Sequence, residues 1–272
     1  MPELPEVETV RRSLAPHLVG RTIDTARLRR RDFVSGKATP AALLQGATIE
    51  RLERRGKQLA VIARDGRVVI VQLGMSGQVL VSPADAPLPT HVHAVWTLRG
   101  SKQTILFRDP RRFGGLTTLD STEDLQRAWS ALGPDGLAVT GGEFWKAVNA
   151  SARAIKSALL DQRTVAGVGN IYADEALFEA GVHPKAICRR LSRPRIERLA
   201  RAIREVLARA VEARGSTLRD YRDADGLEGS YAGLHRVYGR GGLPCPSCGK
   251  PLQKLTVGQR TTVCCPRCQT RS

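Results

Sequence analysis

The chain begins Met1-Pro2-Glu3-Leu4-Pro5-Glu6. An initiator methionine ahead of a small residue is generally removed, which predicts Pro2 as a free secondary amine with two carboxylates, Glu3 and Glu6, within one helical turn. An α-amino group has a pKa near ~8 against ~10.4 for lysine. Roughly a tenth of such an amine is therefore unprotonated at neutral pH. It is a nucleophile that needs little tuning and can form an iminium with a sugar aldehyde carbon. The same six residues also read as an ordinary helix entry, with proline and acids in the first turn, and taken alone that is the plainer reading.

The second reactive cluster is at the other end. Five of the six cysteines lie in the last 28 residues. Cys245-Pro-Ser-Cys248 and Cys265-Pro-Arg-Cys268 are paired knuckles with sixteen residues between them. Each knuckle puts two thiolates on one side of a tight turn, and a hairpin between them lets all four converge on one structural Zn2+. With four protein ligands the metal would have no open position for catalysis. Cys264 is out of register and Cys188 stands apart, so neither has a role here. The connecting segment presents Gly258-Gln259-Arg260-Thr261-Thr262, and Arg260 reads equally as a phosphate clamp or a solvated loop residue.

Four further segments carry polar or wedge-like chemistry. Ala166-Gly167-Val168-Gly169-Asn170 precedes a helix, where glycines expose N–H groups to an anion; a plain helix–turn–helix corner is the alternative. Arg54-Arg55-Gly56-Lys57 is a small basic cluster in which Lys57 can reach a phosphate. Asp109-Pro110-Arg111-Arg112-Phe113-Gly114-Gly115 gives a stiff turn presenting cation and aromatic together. Leu73-Gly74-Met75-Ser76-Gly77 is a glycine-hinged loop with Met75 at its tip. Apolar residues on such loops are the type that proteins insert between base steps, although each loop alone also reads as core packing. His91 and His93 precede a strand, and their alternation predicts both on one face.

Composition narrows the partner. Lys and Arg number 43 against 26 Asp and Glu, a net charge of +17. That excess points to a polyanion, nucleic acid before an anionic membrane. No apolar run of membrane-spanning length and no apolar signal core is present, so no membrane association and no secretion are expected. Aromatics at 4% argue against broad base-stacking platforms.

The elements that must hold these groups divide into three modules: residues 1–133, 134–235 and 236–272. After a helix over 6–18, the first is β-rich. Runs 58–64 and 67–73 flank Asp65-Gly66, a strong hairpin signal, and strands are expected near 78–81, 93–98, 104–108 and 116–119. No helix separates them, which predicts an antiparallel sandwich or closed sheet. Gly133-Pro134-Asp135-Gly136 reads as the linker. Helices follow at about 143–149, 155–162, 172–180 and 194–213. The last carries one apolar stripe, from Ile196 through Val211, with its arginines expected on solvated faces.

Taken together, these motifs resemble the bacterial formamidopyrimidine-DNA glycosylase family over essentially the whole chain. The resemblance rests on PELPEVETVRR at the start, LGMSG, DPRRFGG, the run from Leu159-Leu160-Asp161-Gln162 through GVGNIYADEALF, and the tail CPRCQ. It implies an α+β fold: an N-terminal antiparallel β-sandwich with an N-terminal helix, then a helical domain with a helix–two-turns–helix element and a zinc-finger β-hairpin. It implies a cytoplasmic bacterial enzyme, used at the nucleoid, that acts as a monomer on double-stranded DNA containing oxidised bases. It also implies roles. Pro2 would form the Schiff base, Glu3 would be the acid–base partner, and Glu6 a supporting carboxylate. Lys57 would contact phosphate at the lesion. Met75, Arg111 and Phe113 would fill the gap left by the flipped nucleotide. His91, Lys156, Asn170, Arg260 and Tyr238 would hold the kinked phosphates, and 216–231 would cap the lesion. Ser157 and Cys264 depart from the family's pattern. Two rivals remain. One is the endonuclease VIII family for oxidised pyrimidines, against which Leu4 and Arg111–Phe113 speak. The other is a non-catalytic zinc DNA-binding protein, which needs no free amine.

Overall fold

The computed structural model describes residues 2–271; the expected loss of Met1 lies outside the described residues. The chain forms two compact units. One runs to Ala131 and takes in Ala213–Ser230; the other comprises Leu132–Glu212 and the chain from Tyr231 onward. The boundary after Ala131 falls beside the Gly133-Pro134 cluster. The 213–230 segment belongs with the N-terminal unit, and the cysteine-rich tail belongs with the helices.

The first unit opens with α1 (Leu4–Leu18). Its strands are β1 (Ile23–Leu28), β2 (Val34–Ser35), β3 (Ile49–Arg55), β4 (Gln58–Ala63), β5 (Val68–Gln72), β6 (Gln78–Pro83), β7 (Val92–Leu98), β8 (Gln103–Arg108) and β9 (Gly115–Leu119), followed by α2 (Thr122–Ser130). They make a four-stranded sheet, β1-β7-β8-β6, and a five-stranded sheet, β2-β9-β5-β4-β3. All pairings are antiparallel except the two-residue β2–β9 contact. Val61, Val69 and Val71 of one sheet share a core with Trp96, Ile105 and Phe107 of the other. α1 lies against β3, β4 and β6 and adds Val7, Val10, Leu14 and Leu18 to that core, as its helical spacing requires. Tyr221 and Ala224 of the 213–230 segment complete it. An apolar cavity of about 30 Å³ remains, lined by Leu14, Val69, Trp96 and their neighbours.

β1, β3 and α2 lie outside the sequence expectations. In β1 the buried residues Ile23 and Ala26 are three apart, and so are Ile49 and Leu52 in β3. Each strand has a register shift at its start, between Ile23 and Thr25 and between Ile49 and Arg51. A bulge adds a residue to one strand and so erases the two-residue alternation by which strands are read.

The second unit contains α3 (Gly141–Val148), α4 (Ile155–Leu160), α5 (Asn170–Glu179), α6 (Arg193–Glu212) and a hairpin of β10 (Gln253–Val257) and β11 (Arg260–Cys264). α6 buries the expected stripe against α3 and α5. Three of its arginines are not simply solvated. Arg195 donates to the Thr270 carbonyl (2.9 Å), Arg198 to Ala180 (3.0 Å) and Arg204 to Val139 (2.6 Å). α5 is buried on all sides from Ile171 to Phe178. No helix among the described residues is long and apolar enough to cross a membrane.

Candidate functional site

Pro2 and Glu3 are buried at the mouth of α1. Glu3 is the N-cap residue and Glu6 stands three places on, a capping-box arrangement. Glu6 is 1% exposed and its carboxylate is forked. Oε2 accepts the Glu3 N–H at 2.7 Å, and Oε1 accepts the Ser216 N–H at 2.7 Å. The approach is close: a Cβ on Gly215 (φ +80°) would lie 2.7 Å from Glu6 Oε1. One buried acid therefore fixes both the residue after Pro2 and the start of the 216–231 segment. That segment is docked elsewhere too. The Val81 N–H reaches the Ala224 carbonyl (2.8 Å), the Ala224 N–H reaches Ser13 Oγ (3.0 Å), and Gln78 donates to the Asp220 carbonyl.

Lys57 occupies a two-residue turn, because Arg55 pairs with Gln58. Gly56 sits at φ +55°, where a tight hairpin turn favours glycine. The turn is braced from α1. Arg54 donates to Glu8 Oε2 (3.1 Å) and to the Gly56 carbonyl (3.0 Å). Burial alone would raise the Glu8 carboxyl, but Arg11, Arg12 and Arg54 outweigh it and hold the group at about 2.

Met75 and Phe113 are exposed, Phe113 at 59%, and the Arg111 guanidinium lies 5.2 Å from the Phe113 ring centroid. Ser76, next to Met75, accepts the Arg111 N–H at 3.1 Å, so the two loops expected to share a wedge are brought together. The two histidines are not. His91 is exposed at φ +65°, whereas His93 is buried against Phe33 (4.8 Å) and donates to the Asp109 carbonyl (2.9 Å). A register shift between Val92 and Ala94 breaks the alternation that predicted a shared face.

In the second unit, Gly258 and Gln259 form the turn of the β10–β11 hairpin, both at positive φ, as a type I′ turn requires. Arg260 follows it and is exposed. Asn170, at the first turn of α5, donates to the Thr261 carbonyl at 3.1 Å, so Asn170 and Arg260 stand together. Lys156 does not join them at the surface, which corrects its expected phosphate contact. It is 0% exposed. Its ammonium donates to Asp174 Oδ1 (2.6 Å), Thr262 Oγ1 (2.8 Å) and the Thr261 carbonyl (3.3 Å). Asp174 Oδ2 accepts the Val263 N–H (3.0 Å). Burial pushes Asp174 up to about 6 against the opposing pull of Lys156. The next residue, Glu175, accepts the N–H groups of Arg236 (2.9 Å), Val237 (2.9 Å) and Tyr238 (2.8 Å). Adjacent acids on α5 thus hold both the hairpin and the segment leading to it, including Tyr238. Sequence reading missed both roles. The two acids lie within the run GVGNIYADEALF, but nothing local to that run points to their distant partners.

The Sγ atoms of Cys245, Cys248, Cys265 and Cys268 lie within 4.8 Å of one another, with Cys245–Cys268 at 3.9 Å and Cys248–Cys265 at 3.5 Å. Tetrahedral Zn–S bonds of about 2.3 Å require S···S separations near ~3.8 Å, so the cage fits zinc. Cys264 is buried beside His183 instead, 3.9 Å from its Nε2, and burial pushes its thiol up to about 11. Cys188 is enclosed in the helical core.

Three family models match in chain order: the formamidopyrimidine-DNA glycosylase N-terminal domain over residues 1–116, its H2TH domain over 132–222, and a zinc finger found in FPG and IleRS over 242–271. The chain belongs to the formamidopyrimidine-DNA glycosylase family. Formamidopyrimidine-DNA glycosylases of Stenotrophomonas maltophilia and Marinobacter nauticus are each 44% identical to it. Each match covers 99% of this chain and 100% of the relative. The MutM (Fpg) protein of Thermus thermophilus superposes with a TM-score of 0.88 at 42% identity, covering 98% of each chain. The Lactococcus lactis Fpg in complex with abasic-site DNA gives 0.90 at 34%, covering 98% of this chain and 99% of that one. Membership of the glycosylase family makes this a DNA-repair enzyme, and its four converging cysteines are a zinc-finger site for one structural ion.

Proposed function

We propose that the chain is a bifunctional glycosylase and abasic-site lyase that removes oxidised purines, 8-oxoguanine and formamidopyrimidines, from duplex DNA. Crystallised relatives hold DNA containing Fapy-dG or an abasic site, which supports this substrate class. The observation that carries the reading is the Glu6 fork: it fixes the Glu3 backbone at 2.7 Å, and so anchors the residue that bears the terminal amine.

In this reading Pro2, as a free amine, attacks C1′ of the damaged nucleotide. The C1′–base bond breaks, its electrons leave with the base, and the base takes up a proton. Glu3 manages the proton at the sugar-ring oxygen as the ring opens to the iminium. Loss of the 3′ phosphate by β-elimination and of the 5′ phosphate by δ-elimination follows. The target atom lies inside a duplex, so the nucleotide must first be extruded. Met75, Arg111 and Phe113 fill the gap, and Arg111 hydrogen-bonds the orphaned cytosine. Lys57 meets the phosphate at the lesion, while His91, Asn170, Tyr238 and Arg260 hold its neighbours. Zinc keeps the Arg260 hairpin folded and takes no part in bond breaking. Lys156 acts from inside, through Asp174, on that hairpin. The modules 1–133, 134–235 and 236–272 divide these tasks, in a monomer working at the nucleoid of a bacterial cytoplasm.

Borohydride trapping with matched duplexes tests the proposal. A covalent adduct is expected on 8-oxoguanine DNA, with Pro2→Gly abolishing most of it. An adduct confined to oxidised pyrimidines would favour the endonuclease VIII type. No adduct with either lesion would leave only a non-catalytic DNA-binding protein.

A further inference from the structure

Asp109 directly follows β8 and is fully buried, 0% exposed, yet among the described residues it makes no ion pair. Its carboxylate is spent on two loops. Oδ1 accepts the Ser76 hydroxyl (2.6 Å) and the Arg111 N–H (3.3 Å), and Oδ2 accepts the Gly114 N–H (2.7 Å). Ser76 Oγ accepts the same Arg111 N–H at 3.1 Å. The Asp109 backbone adds a third element, since its N–H donates to the His91 carbonyl at 3.0 Å. The loops that carry Met75, Arg111, Phe113 and His91 are therefore all tied to one residue.

The packing around this knot leaves no slack. A Cβ on Gly74 (φ +59°) would lie 2.3 Å from the Phe113 carbonyl carbon, and one on Gly114 would lie 2.5 Å from the Gln72 oxygen and 3.1 Å from Asp109 Oδ2. The 73–77 and 109–115 loops are in backbone-to-backbone contact. Their tips, by contrast, are exposed: Met75 at 36% and Phe113 at 59%. Exposed apolar tips have no core of their own to hold them, so what rigidity they have comes from the buried knot beneath.

We propose that Asp109 is the positioning residue of the wedge: it locks the Met75 and Arg111–Phe113 loops into one rigid body and so sets how the enzyme reads the base opposite the lesion. This rests on the wedge reading of those three residues. The physical logic is preorganisation: loops already fixed in the inserting geometry lose little further freedom when they enter the stack. The carboxylate suits the task because it is acceptor-only and can take all three donors at once. An amide at that position turns one oxygen into a donor that opposes the fixed N–H of Arg111 or of Gly114.

The test compares Asp109→Asn, Ser76→Ala and Phe113→Ala with the parent full-length protein. Asp109→Asn is expected to lower excision from an 8-oxoguanine·cytosine duplex at least tenfold, mainly in kcat. It should also shrink the rate ratio between cytosine and adenine opposite the lesion. Borohydride trapping on a single-stranded abasic oligonucleotide, which has no stack to enter, should stay within about twofold. Ser76→Ala, which removes one donor, should move the same ratio less. A parent-like ratio in both Asp109→Asn and Ser76→Ala, alongside an impaired Phe113→Ala, overturns the positioning role alone. Equal losses on duplex and single-stranded substrates in Asp109→Asn overturn it in favour of general folding support. A parent-like Phe113→Ala overturns the wedge reading itself. Should Asp109→Asn fail to fold, Ser76→Ala decides by the same ratio.

Discussion

Both units use buried acids to hold loops, but they use them differently. In the N-terminal unit, Glu6 takes the N–H groups of Glu3 and Ser216, and Asp109 takes N–H and hydroxyl donors from two loops. Neither anchor is part of a metal cage. In the second unit, Asp174 is paired with the buried Lys156, and the hairpin it grips ends in a four-cysteine cage. The difference follows from what lies underneath. The N-terminal loops lean on two sheets and a helix that share one large core. The β10–β11 hairpin rests on a small cluster of Phe178, Val237, Leu252, Val263 and cysteines. A two-stranded hairpin is marginal alone, and a small core needs a staple such as a metal to persist. Where the core is large, the hydrogen bonds of Asp109 suffice to place the 73–77 and 109–115 loops, although the Lys57 turn keeps the Glu8–Arg54 ion pair.

The sharpest break of this comparison is removal of the metal. Structural zinc contributes on the order of 10 kcal/mol to small domains. Cys268→Ser is expected to unfold residues 242–271 and weaken binding to a lesion duplex by at least about 100-fold. Melting of the N-terminal sheets should stay within a few degrees. Fluorescence anisotropy and limited proteolysis read the two effects separately, and full-strength binding by the variant would show that the hairpin needs no staple.

A smaller effect is expected from the ion pair. Lys156→Met leaves Asp174 buried without its cation, a change that costs about 3–5 kcal/mol. Lys156→Met with Asp174→Leu should recover most of that loss, because an apolar pair of similar volume replaces a buried charged one. Denaturant titration of both variants measures this. If the double variant is no better than the single one, the pair's hydrogen bonds to Thr262 and Val263 matter more than its charge.

The smallest effect is in pH, where the two units should respond with opposite sign. The folded state holds Glu8 at about 2, below its unfolded value. Its contribution is present above about pH 4.5 and is lost as pH falls toward 2. Asp174 is raised to about 6. Its contribution is complete below about pH 4 and is lost as pH rises through 6. Glu8→Gln should therefore trail the parent by about 1–2 kcal/mol at pH 7, allowing for solvent screening, and draw level with it only as pH falls from about 4.5 toward 2. The apolar Lys156/Asp174 replacement should gain on the parent as pH rises from 4 to 6. Thermal melts across about pH 2–7 follow both.

How much of this is legible in sequence depends on the range of the interaction. The knuckles, the Asp65-Gly66 hairpin, the α6 stripe and the terminal Pro2-Glu3 are local patterns, and the structure bears out the first three as folded elements. β1 and β3 were hidden by bulges that put inward residues three apart. α2 does carry a local signal, since Ser121 caps it by accepting the Asp124 N–H. The acids that place the site residues are a different matter. Asp109 reaches Ser76 across 33 positions, Glu175 reaches Val237 across 62, and Asp174 reaches Val263 across 89. An acid read in its local sequence gives no hint of such partners. Lys156 was misplaced for the same reason, since its burial depends on a hairpin about a hundred residues away.

The chain leaves the N-terminal unit after Ala131 and returns to it only for Ala213–Ser230. Synthesis therefore delivers the sheets long before it delivers Tyr221 and Ala224, which complete their core. A nascent chain extended to Glu212 has made α1 through α6 but still exposes the seat of that segment. Domains commonly fold in order as they emerge from the ribosome. Here the first unit to be started is completed only after most of the second has been made, and the Ser216 N–H reaches the Glu6 carboxylate only once some four-fifths of the message has been read.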